Sequence, residues 1–292
     1  MMSSALQAEG AELRPVSYPS PVLIYGDLWP MAYAVNALCG YQTQRRRYYC
    51  DTLNQLSDQL QTYPDAPLIL CLSPHEHVYL FYAISPLLDR RRAIVVADTF
   101  YYSDRVLLDI FGYQGRLEAQ NLRQQMSNPE RPHPVLQAFL GEGSHVDRRY
   151  WVRPSQQCSP SITRAEQLIT LMTQMMMCHL HETSLLRPRE LMAIKNFWEG
   201  KSVTLISNMM GLSGKSVSGY KISALNKLGM RATNISLYRG GPFKEHVQRT
   251  PFMTREAFKL LAICSQHWVC NERAETIITG TKIKEINETL HS

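Results

Sequence analysis

Three lysines recur at six-residue intervals in GLSGKSVSGYKISALNKLG, residues 211–229: Lys215, Lys221 and Lys227. Short or uncharged side chains stand around them, among them Ser213, Ser216, Ser218, Gly219, Ile222, Ser223 and Asn226, and the stretch holds no acid. An ammonium group on a flexible stem is a mobile point charge that suits a phosphate oxygen. Small side chains let a helix come close to base edges. A solvated helix face ordinarily alternates acids with its lysines, and this one does not. The chemistry within reach is that of a polyanion gripped along its backbone.

Other clusters offer less. His75 and His77 flank Glu76, Cys178 precedes His179 and His181, and Cys264, His267 and Cys270 fall close together, yet none supplies four ligands at metal spacing. No metal or cofactor is expected. The His75–His77 triplet follows an apolar run without a nucleophile in a recognisable frame, so it reads as ordinary histidines, and no catalytic role is expected of the chain. Seven cysteines, an odd number without a CxxC pair, fit reduced thiols of a cytoplasmic protein.

Charge is distributed unevenly. The net charge is +6, but residues 186–239 hold nine basic residues against two acidic ones, so the whole excess lies in that segment. With 45% hydrophobic and 19% charged residues, the composition is that of a globular chain. No run approaches the roughly 20 apolar residues of a membrane span, and the N-terminus does not read as a signal peptide.

Three helices must position the lysines. Pro188 starts the first, which carries Leu191, Ile194, Phe197 and Trp198 and stops at Gly200. Ser202 caps a short second helix, expected to turn Leu205, Ile206, Met209 and Met210 inward. Gly211-Leu212-Ser213 is a tight turn, and Ser213 caps the third helix. At 100° per residue, Val217, Ala224 and Leu228 share its inner face. Ser218, Gly219, Ile222, Ser223 and Asn226 share the outer one, with Lys215 and Lys221 beside it and Lys227 at its end. This is the pattern of a helix-turn-helix whose last helix, about residues 214–228, enters a major groove.

Upstream, the apolar runs VLIY (22–25), LILCL (68–72) and AIVVA (93–97) alternate with helical stretches, which predicts a parallel sheet covered on both faces. The chain divides into a polar tail (1–20), an α/β unit (21–126), a Pro- and Gly-rich linker with one short helix at VLQAFL (127–160), a helical unit (161–240) that opens on a Met-rich helix, and an extension (241–292). In that extension Thr254 is expected to cap a further helix.

On Leu186, Pro188-Arg189-Glu190, Glu199-Gly200, Ser202, Ile206, Leu212-Ser213, Lys215-Ser216-Val217, Lys221 and Lys227-Leu228-Gly229, the segment resembles, without a gap, the C-terminal DNA-binding domain of the LuxR/FixJ type. Its spacing is closest to the Rcs-type regulators of enteric bacteria. The resemblance covers about a sixth of the chain. It implies a bacterial, cytoplasmic transcription regulator, nucleoid-associated when bound. Double-stranded DNA would be touched by Ser202, Ser213, Lys215, Ser216, Ser218, Gly219, Lys221, Ile222, Asn226 and Lys227. It also implies a homodimer, or a heterodimer with another LuxR-type regulator, on half-sites about one helical turn apart. The chain departs from the family at Leu205, where an acid is usual, at Val203-Thr204, and at Ile222, where some members carry lysine.

The same resemblance implies a receiver domain at the N-terminus, doubly wound and flavodoxin-like. A working receiver holds Mg²⁺ on paired acids and accepts phosphate on an aspartate. Here Asp27 follows Gly26 rather than an acid, Cys71 stands at the phosphoacceptor position, Ala97 or Asp98 replaces Thr or Ser, and GRLEA has no lysine. The expectation is a pseudo-receiver that keeps the fold and has lost phosphotransfer. A small-molecule effector is not evident. The alternative function is a co-regulator that binds a partner LuxR-type regulator and reads little DNA itself.

Overall fold

Strands with apolar residues at every position must be covered on both sides, and the sheet is built from them. The computed structural model describes residues 20–89, 91–126, 133–141, 150–152, 161–183 and 186–262. All but the last residue of the expected tail, most of the 127–160 stretch, the last thirty residues, Cys158, His267 and the pair Cys264 and Cys270 lie outside these. Strands β1 (Val22–Tyr25), β2 (Arg47–Cys50), β3 (Leu68–Cys71), β4 (Ala93–Ala97) and β5 (Gly115–Glu118) form a parallel sheet in the order β2-β1-β3-β4-β5. That is the doubly wound, flavodoxin-like order. All of β1, β3 and β4 is buried.

Alternation along the strands divides the core. Val22, Ile24, Ile69, Cys71, Ile94 and Val96 face α1 (Trp29–Gln42), α5 (Ala119–Met126) and α6 (Pro134–Leu140). Leu23, Tyr25, Leu68, Leu70 and Val95 face the other layer, with α2 (Leu53–Thr62), α3 (Val78–Ile84) and α4 (Tyr102–Ile110). The short helix inside the 127–160 stretch thus belongs to the sheet: Leu136, Phe139 and Leu140 of α6 are buried against it. Two buried arginines pin its far end. Arg91 donates to the carbonyls of Leu60, Tyr63, Ala66 and Leu87, and Arg92 to those of Phe139 and Gly141.

The Met-rich helix α7 (Ala165–Thr183) buries Leu168, Met172, Met176 and Leu180, one residue per turn, against α3 and α4. Grouped above with the helical unit, it packs on the sheet unit. Beyond it come α8 (Pro188–Trp198), α9 (Val203–Met210), α10 (Gly214–Lys227) and α11 (Asn234–Arg239). Their apolar centre is continuous with the sheet's outer layer through Ile194, Ala224, Leu225 and Leu228. After α11 the chain runs back across the sheet unit, and a further helix begins at residue 255, where Thr254 Oγ1 accepts from the Ala257 N–H.

Candidate nucleic-acid interface

Each helix of the unit begins and ends on a device visible in its sequence. Pro188 sits in the first turn of α8, and the Glu190 carboxylate reaches back to accept from the Arg187 backbone N–H at 2.7 Å. Ser202 Oγ accepts from the Leu205 N–H at 3.2 Å to cap α9, and Ser213 Oγ accepts from the Ser216 N–H at 3.2 Å to cap α10. Gly211, with φ of +63°, turns the chain between them through a left-handed conformation. A helix, a three-residue turn and a second helix follow, braced by α8.

Val217, Ala224 and Leu225 of α10 and Leu228 just after it are buried. Lys215, Ser216, Gly219, Ile222 and Asn226 are exposed, with Ser218 and Lys221 half-buried at the edge. Lys221 Nζ lies over the Phe197 ring, 5.2 Å from its centre, a cation–π contact that steers its stem along α8. Several of the residues expected to touch DNA or to share the outer face are otherwise engaged, Ser216 Oγ with Ser213 Oγ at 2.9 Å among them. Ser202 and Ser213 spend their hydroxyl oxygens on helix caps. Ser223 Oγ donates to Glu190 Oε1 and Lys227 Nζ to Glu190 Oε2, both at 2.7 Å, so both side chains turn toward α8.

Glu190 is therefore the clamp of the unit. It is buried, and it accepts from one backbone N–H, one hydroxyl and one ammonium. Burial alone would raise its pKa. The bonds from Lys227, the Arg187 N–H and Ser223 outweigh that and pull it down to about 2.

The second helix departs from expectation. Of the four residues expected to turn inward only Ile206 is fully buried; Leu205 and Met209 are 47% and 56% exposed, and Met210 is half-buried. An eight-residue helix crossing α10 offers one narrow stripe, and Leu205 and Met209, an i,i+4 pair, lie off it. Together with Ile222, 45% exposed, they put apolar surface on the outside of the unit.

At the C-terminal edge of the sheet, Cys71 is the last residue of β3 and is wholly buried on the α1 side. Burial pushes its thiol well above the ordinary range, so it is neither exposed nor ionised. A side chain at Gly26 would bring a Cβ to 2.3 Å from the Cys71 carbonyl oxygen, so the site has no room for a second acid there. Asp27 lies 3.2 Å from His77 Nε2 and accepts from Arg249 Nη1 at 2.6 Å. Burial works against its charge, but the bonds and charges of His77 and Arg249 prevail and hold its carboxyl below the ordinary range. Glu76 Oε2 meets Arg249 Nε at 2.9 Å. A Mg²⁺ ion needs uncommitted carboxylates in a nearly octahedral oxygen shell; carboxylates already engaged by a guanidinium and an imidazole do not fit one. Cys71 and Asp27 are near neighbours in the fold, but only Asp27 faces this cluster.

The His75–His77 triplet is wired into the same region. Asp104 accepts from the His75 backbone N–H and contacts its Nδ1 at 2.7 and 2.8 Å, and His77 Nδ1 meets Thr250 Oγ1 at 2.8 Å. No group of three or more metal-ligating side chains forms among the described residues, and no described helix is long and apolar enough to cross a membrane.

Sheet order and helical unit together define a doubly wound α/β domain joined to a helix-turn-helix. No family model matches the chain, and no curated protein matches it. Among solved structures it is similar to RcsB, in a structure of two dimers bound to two parallel DNAs, at 18% identity and a TM-score of 0.47, over 76% of this chain and 97% of that one. A two-component response regulator RcsB–DNA complex gives 17% and 0.44, over 76% and 98%. RcsB from Salmonella enterica serovar Typhimurium bound to promoter P1flhDC gives 17% and 0.42, over 76% and 97%. What each of those proteins binds is a property of that protein.

Proposed function

We propose that the chain is a sequence-specific regulator of transcription that inserts α10 into the major groove of double-stranded DNA and works without phosphorylation of its α/β domain. One observation carries this reading: the outer face of α10 is open, small and uncharged, and it is flanked by Lys215 and Lys221 with no acid beside them. Ser218, Gly219, Ile222 and Asn226 would meet base edges, and the lysines would meet phosphates. The protein would be cytoplasmic, associated with the nucleoid when bound, and no catalytic step is assigned to it. Pairing with a second copy, or with another regulator of its kind, is supported by Trp29, Tyr33 and Tyr41, which line one side of α1 and are each more than 60% exposed.

Titrating fluorescent promoter fragments at several salt concentrations tests the reading. Lys215→Ala and Lys221→Ala should each weaken binding to all sequences and reduce the salt slope by about 1. An unchanged slope in both variants would remove α10 from the phosphate backbone. Phosphorylation-independence has its own test: incubation with a small-molecule phosphodonor should leave the intact mass unaltered and the DNA affinity unchanged, and a stable adduct on the α/β domain would refute it.

The exposed Leu205, Met209 and Ile222 favour a second reading, in which the helical unit docks on a partner regulator and contributes little direct readout. In that case the protein alone would show no salt-sensitive binding, and it would shift a promoter complex only with the partner present.

A further inference from the structure

The chain after α11 makes its own contacts with the acidic site. Arg249 bridges Asp27 and Glu76, residues on two different loops at the C-terminal edge of the sheet. Its backbone N–H donates to the Glu76 carbonyl at 2.8 Å. Its neighbours hold the same ground. Gln248 Oε1 accepts from the Val78 N–H at the start of α3, its Nε2 donates to the His75 carbonyl, and Thr250 meets His77. These bonds are specific in register: shifting the segment by one residue would lose all of them.

Past Arg249 the segment continues over the same layer. Phe252 lies edge-on to Tyr79 and stacked near Tyr82, and Phe258 is fully buried, its carbonyl accepting from Ser57 of α2 at 2.6 Å. At its other end the segment is continuous with the helical unit, which is docked on α4 by bonds from Ser103 Oγ to the Arg239 carbonyl and from Arg105 to the Leu228 carbonyl. Residues 242–262 thus run from the helix-turn-helix across α3 to α2.

We infer that the acidic site at the edge of the sheet is a guanidinium receptor whose ligand is Arg249 of the chain's own C-terminal segment, and that residues 242–262 form a strap locking the helical unit onto the α/β domain with the outer face of α10 open. In place of a metal and a phosphoryl group, a covalently tethered cation bridges the two carboxylates, and Arg239 Nη2 lies 3.7 Å from Glu76 Oε1. Because the cation belongs to the chain, its local concentration is high and independent of solution. The bridge uses both edges of one planar group, which lysine cannot reproduce. The lock is the same whether α10 reads DNA or docks on a protein.

Hydrogen–deuterium exchange on the full chain, read without DNA, tests it. In Arg249→Ala, exchange should rise at least about tenfold in peptides covering 244–262 and 74–79. It should also rise at the α4 contact, residues 100–105 and 228–231, while β3, β4 and the α8–α10 core stay as in the parent. Asp27→Asn should reproduce the change, the double variant should add little to either, and Arg249→Lys should fall between parent and alanine. Two outcomes overturn the inference: additive effects of Asp27→Asn and Arg249→Ala, or loosening of 244–262 that leaves the α4 contact untouched. The second would make the segment a surface layer with no hold on the helical unit. Loss of DNA binding with the exchange pattern intact would instead count only against the proposed function.

Discussion

Glu190→Ala is expected to destabilise the helical unit by about 3 kcal/mol, the usual loss when one partner of a buried, hydrogen-bonded ion pair is removed. Three bonds end together: the cap on the Arg187 N–H, the acceptor for Ser223 and the carboxylate that holds Lys227. Two of these tie α10 to α8, so α10 loses its brace as well as its stability. Glu190→Gln keeps one acceptor oxygen, whose two lone pairs can still take two of the three bonds, and should cost about 1 kcal/mol. Acid provides a second reading of the same clamp. The Glu190 pKa drops from an ordinary 4.5 to about 2 on folding, so between those values the unfolded chain binds the extra proton. Its stabilisation is complete above about 4.5 and is lost as the pH falls toward about 2. Denaturant unfolding followed by circular dichroism, at neutral pH and near pH 3, should show this loss in the parent and less of it in Glu190→Gln. Equal acid sensitivity in both would place the titrating group elsewhere.

The clamp also shows where sequence reading reaches its limit. The caps at Ser202, Ser213 and Thr254 and the turn at Gly211 are local, and each can be read from residues within four positions of one another. Glu190 and Lys227 lie 37 positions apart, so nothing near Lys227 indicates that its ammonium turns inward and away from a phosphate. Asp27 and Arg249 are separated by 222 positions, and their pairing has no local signature at all. That a glycine and a cysteine stand where a working receiver has acids was legible at Gly26 and Cys71. What fills the space was not, because that depends on where the extension returns.

The sheet divides along the same line. Strands β1, β3 and β4 are recognisable because burial on both faces demands unbroken apolar runs. Strand β2, RYYC, is an edge strand with one fully buried residue, and it follows two further arginines that read as solvent-facing. Helix α3 hides for the opposite reason. All seven residues of VYLFYAI are buried, because the strap and α7 cover the sides that solvent would otherwise have marked with polar residues. A helix enclosed all round has no amphipathic period to read.

Gly219→Glu should separate stability from recognition. Glycine in the interior of an exposed helix costs about 1 kcal/mol relative to alanine, and a Cβ added at Gly219 meets nothing within 4 Å. Both Gly219→Ala and Gly219→Glu should therefore unfold at equal or higher denaturant concentration than the parent. In the proposed complex with DNA, the same position would face the groove between Lys215 and Ile222. There a carboxylate meets the negative field of the phosphates and a side chain fills space that glycine left open. Alanine should weaken promoter binding modestly, and glutamate by about 100-fold, on the scale of one or two mismatched base pairs with added charge repulsion. Residue 219 contributes nothing to the fold that another residue could not improve. A sequence selected for stability alone would not keep glycine here, in the middle of a 14-residue helix with open space above it. If Gly219→Glu binds promoter fragments as the parent does, α10 does not enter the groove by this face, and the exposed apolar surface of Leu205, Met209 and Ile222 becomes the better account of the helical unit.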